Sequence, residues 1–179
     1  MKREDIDFWK DMLLENADYL FRKKRVKGED FAIKIEELVQ ETINHVGKTL
    51  QKEITDETKE LVRNLLHEEC IGKNLWKIEG YVIPAYYLAD MFLKKAKELF
   101  SEEARRYKSV LSIDELIEVV TDQINSYMGK KIDAQSKADL HGFIEKLCGE
   151  DNYFKKIQNK YIIFDKQGKD RLEEISRSV

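Results

Sequence analysis

Six lysines have the residue type and spacing to do chemistry. Lys155, Lys156 and Lys160 cluster on or near a turn, with Tyr153, Phe154 and Tyr161 interleaved. Lys130, Lys131 and Lys137 surround the start of a helix. Ammonium groups at such places neutralise phosphates, and a helix N-terminus adds its own partial positive charge. Reading bases is a different demand: no arginine occurs on either element, and arginine to guanine is the commonest specific base contact. From Ser109 onward 11 basic residues stand against 13 acidic ones, so attraction to a polyanion has to be local. The competing expectation is that this region packs against a protein, or that its lysines simply solubilise an exposed hairpin edge.

Other constellations point away from chemistry. Arg22, Lys23, Lys24, Arg25 and Lys27 read as cations at a helix C-terminus followed by a solvated loop, rather than as a nucleic-acid or acidic-lipid patch. Glu37, Glu41 and His45 recur by four, but on the side of their helix away from Ile35, Leu38 and Val46. His67, beside Glu68 and Glu69, lies opposite Leu61 and Leu65. Three histidines in all cannot supply the paired Glu-x-x-His ligands of a di-iron bundle, so no metal is expected. His141 and Cys148 are seven apart on one helix, yet Cys148 beside Leu147 and Ile144 reads as an inert core thiol. There is no P-loop, G-x-G-x-x-G, G-x-S-x-G or HExxH, and Trp9 and Trp76 read as core. The expectation is no catalytic residue, no cofactor and no enzyme.

The elements that must position the lysines follow from hydrophobic rhythm. The 179 residues are 42% hydrophobic and 37% charged, with 32 basic against 35 acidic residues. Such density with strict apolar spacing means long helices with solvated faces, not disorder. Helices are expected over about 4–25, 30–51 (interrupted by Gly47) and from the Thr55 cap to Gly72. A short segment with Leu75, Trp76 and Ile78 leads into a fourth helix from Ile83 to Phe100, with Pro84 in its first turn. Ile83, Tyr87 and Met91 form a second apolar stripe on that helix, a candidate partner-binding face. Four antiparallel helices make an up-down bundle the economical choice for residues 1–108.

Residues 109–179 read as a small winged-helix-like α+β domain. Ser112 and Glu115 form a capping box for a helix that Gly129 stops, and Asp133 or Ser136 caps the next, which ends at Gly149. The period then changes from 3.6 to 2: Tyr153–Ile157 and Tyr161–Asp165 read as a hairpin, followed by a short helix over Gly168–Arg177. Only two helices precede the hairpin where the usual winged unit has three. No internal repeat stands out.

The whole is expected to be mainly α, a helical bundle followed by the winged-helix-like domain with one hairpin. Cys70 and Cys148, far apart, suggest a reducing compartment. With no stretch approaching ~20 apolar residues and no apolar run at the start, a cytoplasmic protein without membrane contact is expected. The functional expectation is a binding protein: a DNA-binding regulator using the six lysines, or a protein–protein adaptor or complex subunit, including a homo-oligomer. A bundle holding a small apolar ligand is a third reading.

Overall fold

The structure, a computed structural model, describes residues 3–26, 32–67, 74–105, 110–148 and 153–177. The chain is mainly α with a small α+β component. Compactness divides it into two units, Met1–Tyr86 and Tyr87–Val179, so the division falls in the first turn of the fourth helix and not at the expected 108/109 boundary.

In the first unit, α1 (Arg3–Val26) precedes a two-residue strand β1 (Ile33–Lys34), then α2 (Ile35–Leu50) and α3 (Asp56–Leu65). The hairpin β2 (Leu75–Ile78) and β3 (Tyr81–Pro84) closes it. The sheet order is β1-β3-β2, all antiparallel. Trp9, Leu13, Ala17 and Leu20 on α1, Leu38, Val39 and Val46 on α2, Val62 and Leu65 on α3 and the strand residues Ile33, Leu75, Ile78 and Val82 are buried together as its core. Thr55 caps α3 by accepting from the Thr58 N–H, as expected. At Gly47, α2 is not broken. The chain folds back beyond its end: the Lys52 N–H donates to the Gly47 carbonyl, and a Cβ on Gly47 would stand 3.2 Å from the Lys52 oxygen.

The second unit holds most of α4 (Ala85–Arg105), then β4 (Leu111–Ser112), α5 (Ile113–Met128), α6 (Ala134–Leu147), β5 (Phe154–Ile157), β6 (Tyr161–Phe164) and α7 (Lys166–Arg177). Its sheet order is β4-β6-β5. Ser112 accepts from the Glu115 N–H at 3.4 Å, Asp133 accepts from the Ser136 N–H at 2.6 Å, and Gly129 ends α5 in the left-handed region at φ 66°. The caps read from the sequence are thus in place, with Asp133 rather than Ser136 capping α6. α4 supplies the third helix that the sequence reading lacked.

Two expectations are corrected. Leu75–Ile78 is a strand, not a connection, so the first unit also has a sheet; four residues buried only at the two ends carry no alternation that could stand out beside long helices. Ile83 and Pro84 belong to β3, and α4 starts at Ala85. Ile83 and Met91 are buried and Tyr87 is half-buried, so the three form no exposed stripe for a partner. The sheet turns Ile83 inward, where a helix would have set it four residues from Tyr87.

The structure also reveals a repeat. Both units follow the order helix, short strand, helix, helix, hairpin. The Ile33↔Val82 and Lys34↔Tyr81 pairs are matched by Leu111↔Ile162 and Ser112↔Tyr161. The Ile35 N–H donates to the Gly80 carbonyl at 3.0 Å, and the Ile113 N–H to that of Lys160 at 3.0 Å. With this guide the sequence repeat is plain. Asp11-Met12-x-Leu14-x-x-Ala17-x-x-Leu20-Phe21 recurs as Asp90-Met91-x-Leu93-x-x-Ala96-x-x-Leu99-Phe100, and Ile35–Val39 (IEELV) as Ile113–Ile117 (IDELI).

Candidate polyanion-binding site

The candidate site comprises the α5–α6 connection, the start of α6 and the β5–β6 hairpin. The helices form because α5 and α6 each present an apolar stripe (Leu116, Ile117, Val120, Ile124; Leu140, Phe143, Ile144, Leu147) that is buried. Phe143 meets Phe92 of α4 with ring centroids 5.7 Å apart. The hairpin turns at Gln158 and Asn159, both with φ near +55° (53° and 56°), and Phe154 packs on Phe164 at 5.5 Å.

The six lysines do not share one fate. Lys137 is tied to Glu118 of α5, and Lys156 Nζ lies 2.6 Å from Glu145 Oε2 of α6. Both ion pairs link neighbouring elements within the unit. Lys130 is exposed and its charge helps hold the Asp133 carboxyl below the ordinary aspartate range, an effect due first to the Ser136 backbone N–H that Asp133 caps. Lys131, Lys155 and Lys160 are exposed and form no ion pair among the described residues. Lys155 and Lys156 are successive strand residues, so they point to opposite faces of the hairpin. Lys156 turns to α6 and Lys155 to solvent.

The first unit serves as an internal control for this reading. Lys137 has Lys59 as its counterpart and Lys156 has Lys77. Lys59 pairs with Asp56 at 2.7 Å, and Lys77 Nζ lies 3.2 Å from His67 Nδ1, where His67 corresponds to Glu145. A lysine that bridges hairpin to helix in both copies belongs to the fold. Lys130 likewise matches Lys52. By contrast Lys131, Lys155 and Lys160 stand where the first unit has Glu53, Trp76 and Gly80. Of the six, those found in one copy only are the three that form no ion pair among the described residues. Sequence reasoning did not separate these two sets, although aligning the two halves at an offset of 78–80 residues would have done so.

The remaining candidates are accounted for by local contacts. Arg22 pairs with Asp18 at 2.9 Å, Lys24 with Glu37 at 2.8 Å, and Lys23 sits 5.7 Å from the Tyr19 ring centroid; Lys27 lies outside the described residues. His45 Nδ1 is 3.1 Å from Oδ1 of the buried Asn16. Among the described residues no group of three His, Cys, Asp or Glu side chains converges as metal ligands, and no helix is long and apolar enough to cross a membrane. Cys148 is half-buried, and burial, with Glu145 nearby, pushes its thiol up to about 11; Cys70 lies outside the described residues. A thiol so raised stays protonated at neutral pH and is a poor nucleophile. No known protein family, curated protein or solved structure matches this chain.

Proposed function

We propose that this chain is a non-enzymatic, nucleic-acid-binding regulator whose second unit holds a polyanion through Lys131, Lys155 and Lys160. One observation carries the reading: of the six lysines at the candidate site, these are the three that the other copy of the repeat lacks, and they are also the three that form no ion pair among the described residues. Ion-paired lysines would have to break a bond to meet a phosphate, whereas exposed lysines without an ion pair need only release counterions. Three such contacts predict a log affinity against log salt slope of about −3 on a duplex. Fluorescence anisotropy of a labelled DNA duplex across a salt series tests this. Binding at low salt that weakens with that slope, and is lost in the Lys131→Glu/Lys155→Glu/Lys160→Glu variant, supports it. No binding at low salt, or a triple variant that binds equally well, refutes it.

The second reading is a protein–protein adaptor or complex subunit. It is favoured by charge: residues 87–179 carry 17 basic and 17 acidic residues, and Lys137 and Lys156, on the elements a winged unit presents to a duplex, are already paired. Under this reading the same triple variant leaves DNA binding absent throughout and changes which protein co-purifies.

A further inference from the structure

Lys131, Lys155 and Lys160 do not sit together; they mark the two ends of one helix pair. The hairpin is pinned to the start of α5, where the Ile113 N–H donates to the Lys160 carbonyl at 3.0 Å. It is also pinned to the end of α6, where the Tyr153 N–H donates to the Leu147 carbonyl at 2.9 Å and Lys155 follows two residues on. Lys131 lies at the opposite end of both helices. There Gly129 ends α5, the Ile132 N–H donates to the Asn125 side-chain oxygen at 2.8 Å, and Asp133 caps α6.

Two helices thus measure the same gap. With 16 residues at ~1.5 Å each α5 is about 24 Å long, and α6, with 14, is about 21 Å. Lysine side chains on flexible four-carbon stems narrow such a gap without closing it. Along one strand of a duplex, at ~3.4 Å per nucleotide, it takes in about six or seven phosphates. The first unit has the same frame, the Ile35 N–H donating to the Gly80 carbonyl at 3.0 Å. It carries Glu53 at one end and Trp76 and Gly80 at the other. The copies therefore differ in cations at both ends of the frame together, as a ligand that touches both ends requires.

We propose that the polyanion of the second unit is a polymer, a nucleic-acid phosphate backbone gripped at both ends of the α5–α6 pair at once, and not a nucleotide or other small phosphate. The proposal rests on the polyanion reading and narrows it by the size of the ligand. A triphosphate meets one end only, so it gains at most Lys155 and Lys160.

The probes are a labelled duplex of about 20 base pairs, followed by anisotropy over a salt series, and inorganic tripolyphosphate as its competitor. Lys131→Ala should flatten the log affinity against log salt slope from about −3 to about −2, and Lys155→Ala/Lys160→Ala should flatten it to about −1. Tripolyphosphate should displace the duplex no better than sulfate does at equal ionic strength. Displacement at about one-tenth of the ionic strength that sulfate needs overturns the proposal, because the cations would then converge on one small anion. A Lys131→Ala slope equal to the parent's also overturns it, because the hairpin end would then suffice. Failure of the duplex to bind at low salt is a different result: it refutes the polyanion reading itself, and the proposal falls with it.

Discussion

Lys77 and Lys156 occupy one place in two copies of the same arrangement, and each reaches from the hairpin to the end of the preceding helix. Their neighbours differ: Trp76 in the first unit is half-buried, while Lys155 in the second is exposed and unpaired among the described residues. The contrast extends along the chain. Leu38 and Leu116, Val39 and Ile117, Val46 and Ile124, Val62 and Leu140, and Leu65 and Phe143 are buried in matched pairs. At these positions the apolar interior dictates residue type, because a polar replacement would be desolvated without a partner. Exposed positions are under no such constraint. Differences between the copies there therefore point to use, and agreements among buried or paired residues point to the fold.

The largest effect expected from this comparison is in the cores. Leu38→Ala and Leu116→Ala each remove a fully buried side chain, and each should cost about 2–5 kcal/mol in urea unfolding. Matched costs, within about 1 kcal/mol, sharpen the equivalence of the two units; one large and one negligible cost breaks it. The next effect concerns binding. Installing the second unit's cations in the first, as Glu53→Lys/Trp76→Lys/Gly80→Lys, should raise duplex affinity by roughly 10–100-fold at low salt if three exposed ammonium groups on this frame suffice. Equal affinity before and after would show that the frame itself, or α6, contributes something the lysines alone do not.

Much of the fold was legible because long amphipathic helices and capping residues carry strong local signals. Ser112, Thr55, Asp133 and Gly129 do in the structure what their types suggest. β2 was illegible for a physical reason: four residues leading into an apolar run give no period that outweighs the helix beyond them, and Pro84, read as a helix start, closes a strand instead. Pro84 pairs only with Leu75, so its missing N–H leaves no ladder bond unmade on the side toward β1. At the candidate site the hairpin and its cations were legible, but which lysines were already paired was not. Ion pairs such as Lys137 with Glu118 join residues 19 apart, and only the folded chain brings them together.

A smaller effect is expected where the copies solve one core position differently. Ile43 and Thr121 are counterparts and both are buried. Among the described residues the Thr121 hydroxyl has no hydrogen-bond partner, whereas Thr42, the other buried threonine, donates to the Leu38 carbonyl at 2.8 Å. Thr121→Val should therefore stabilise by about 1 kcal/mol, and Thr42→Val should not, because only the former removes an unsatisfied polar group. A Thr121→Val chain that melts lower than the parent would mean the hydroxyl is satisfied in solution.

The finest distinction lies in the caps of α3 and α6. Thr55 and Asp133 are counterparts, each accepting from the N–H three residues on, but one is a neutral hydroxyl and the other a carboxylate. Thr55→Ala should cost about 1 kcal/mol at any pH. Asp133 behaves otherwise, because the Ser136 N–H and the neighbouring Lys130 hold its carboxyl below the ordinary aspartate value. A carboxyl depressed by folding contributes stability above its unfolded pKa of about 3.9 and loses that contribution as pH falls through the folded value. The difference in stability between the parent and Asp133→Asn should then be flat near neutrality and shift in favour of the variant below about pH 4, where amide and protonated carboxyl become equivalent caps. No such drift is expected for Thr55→Ser. Urea unfolding of the variants from pH 7 down to about pH 3 separates the two caps, and parallel curves for both would mean that the Asp133 carboxylate is not the acceptor that starts α6.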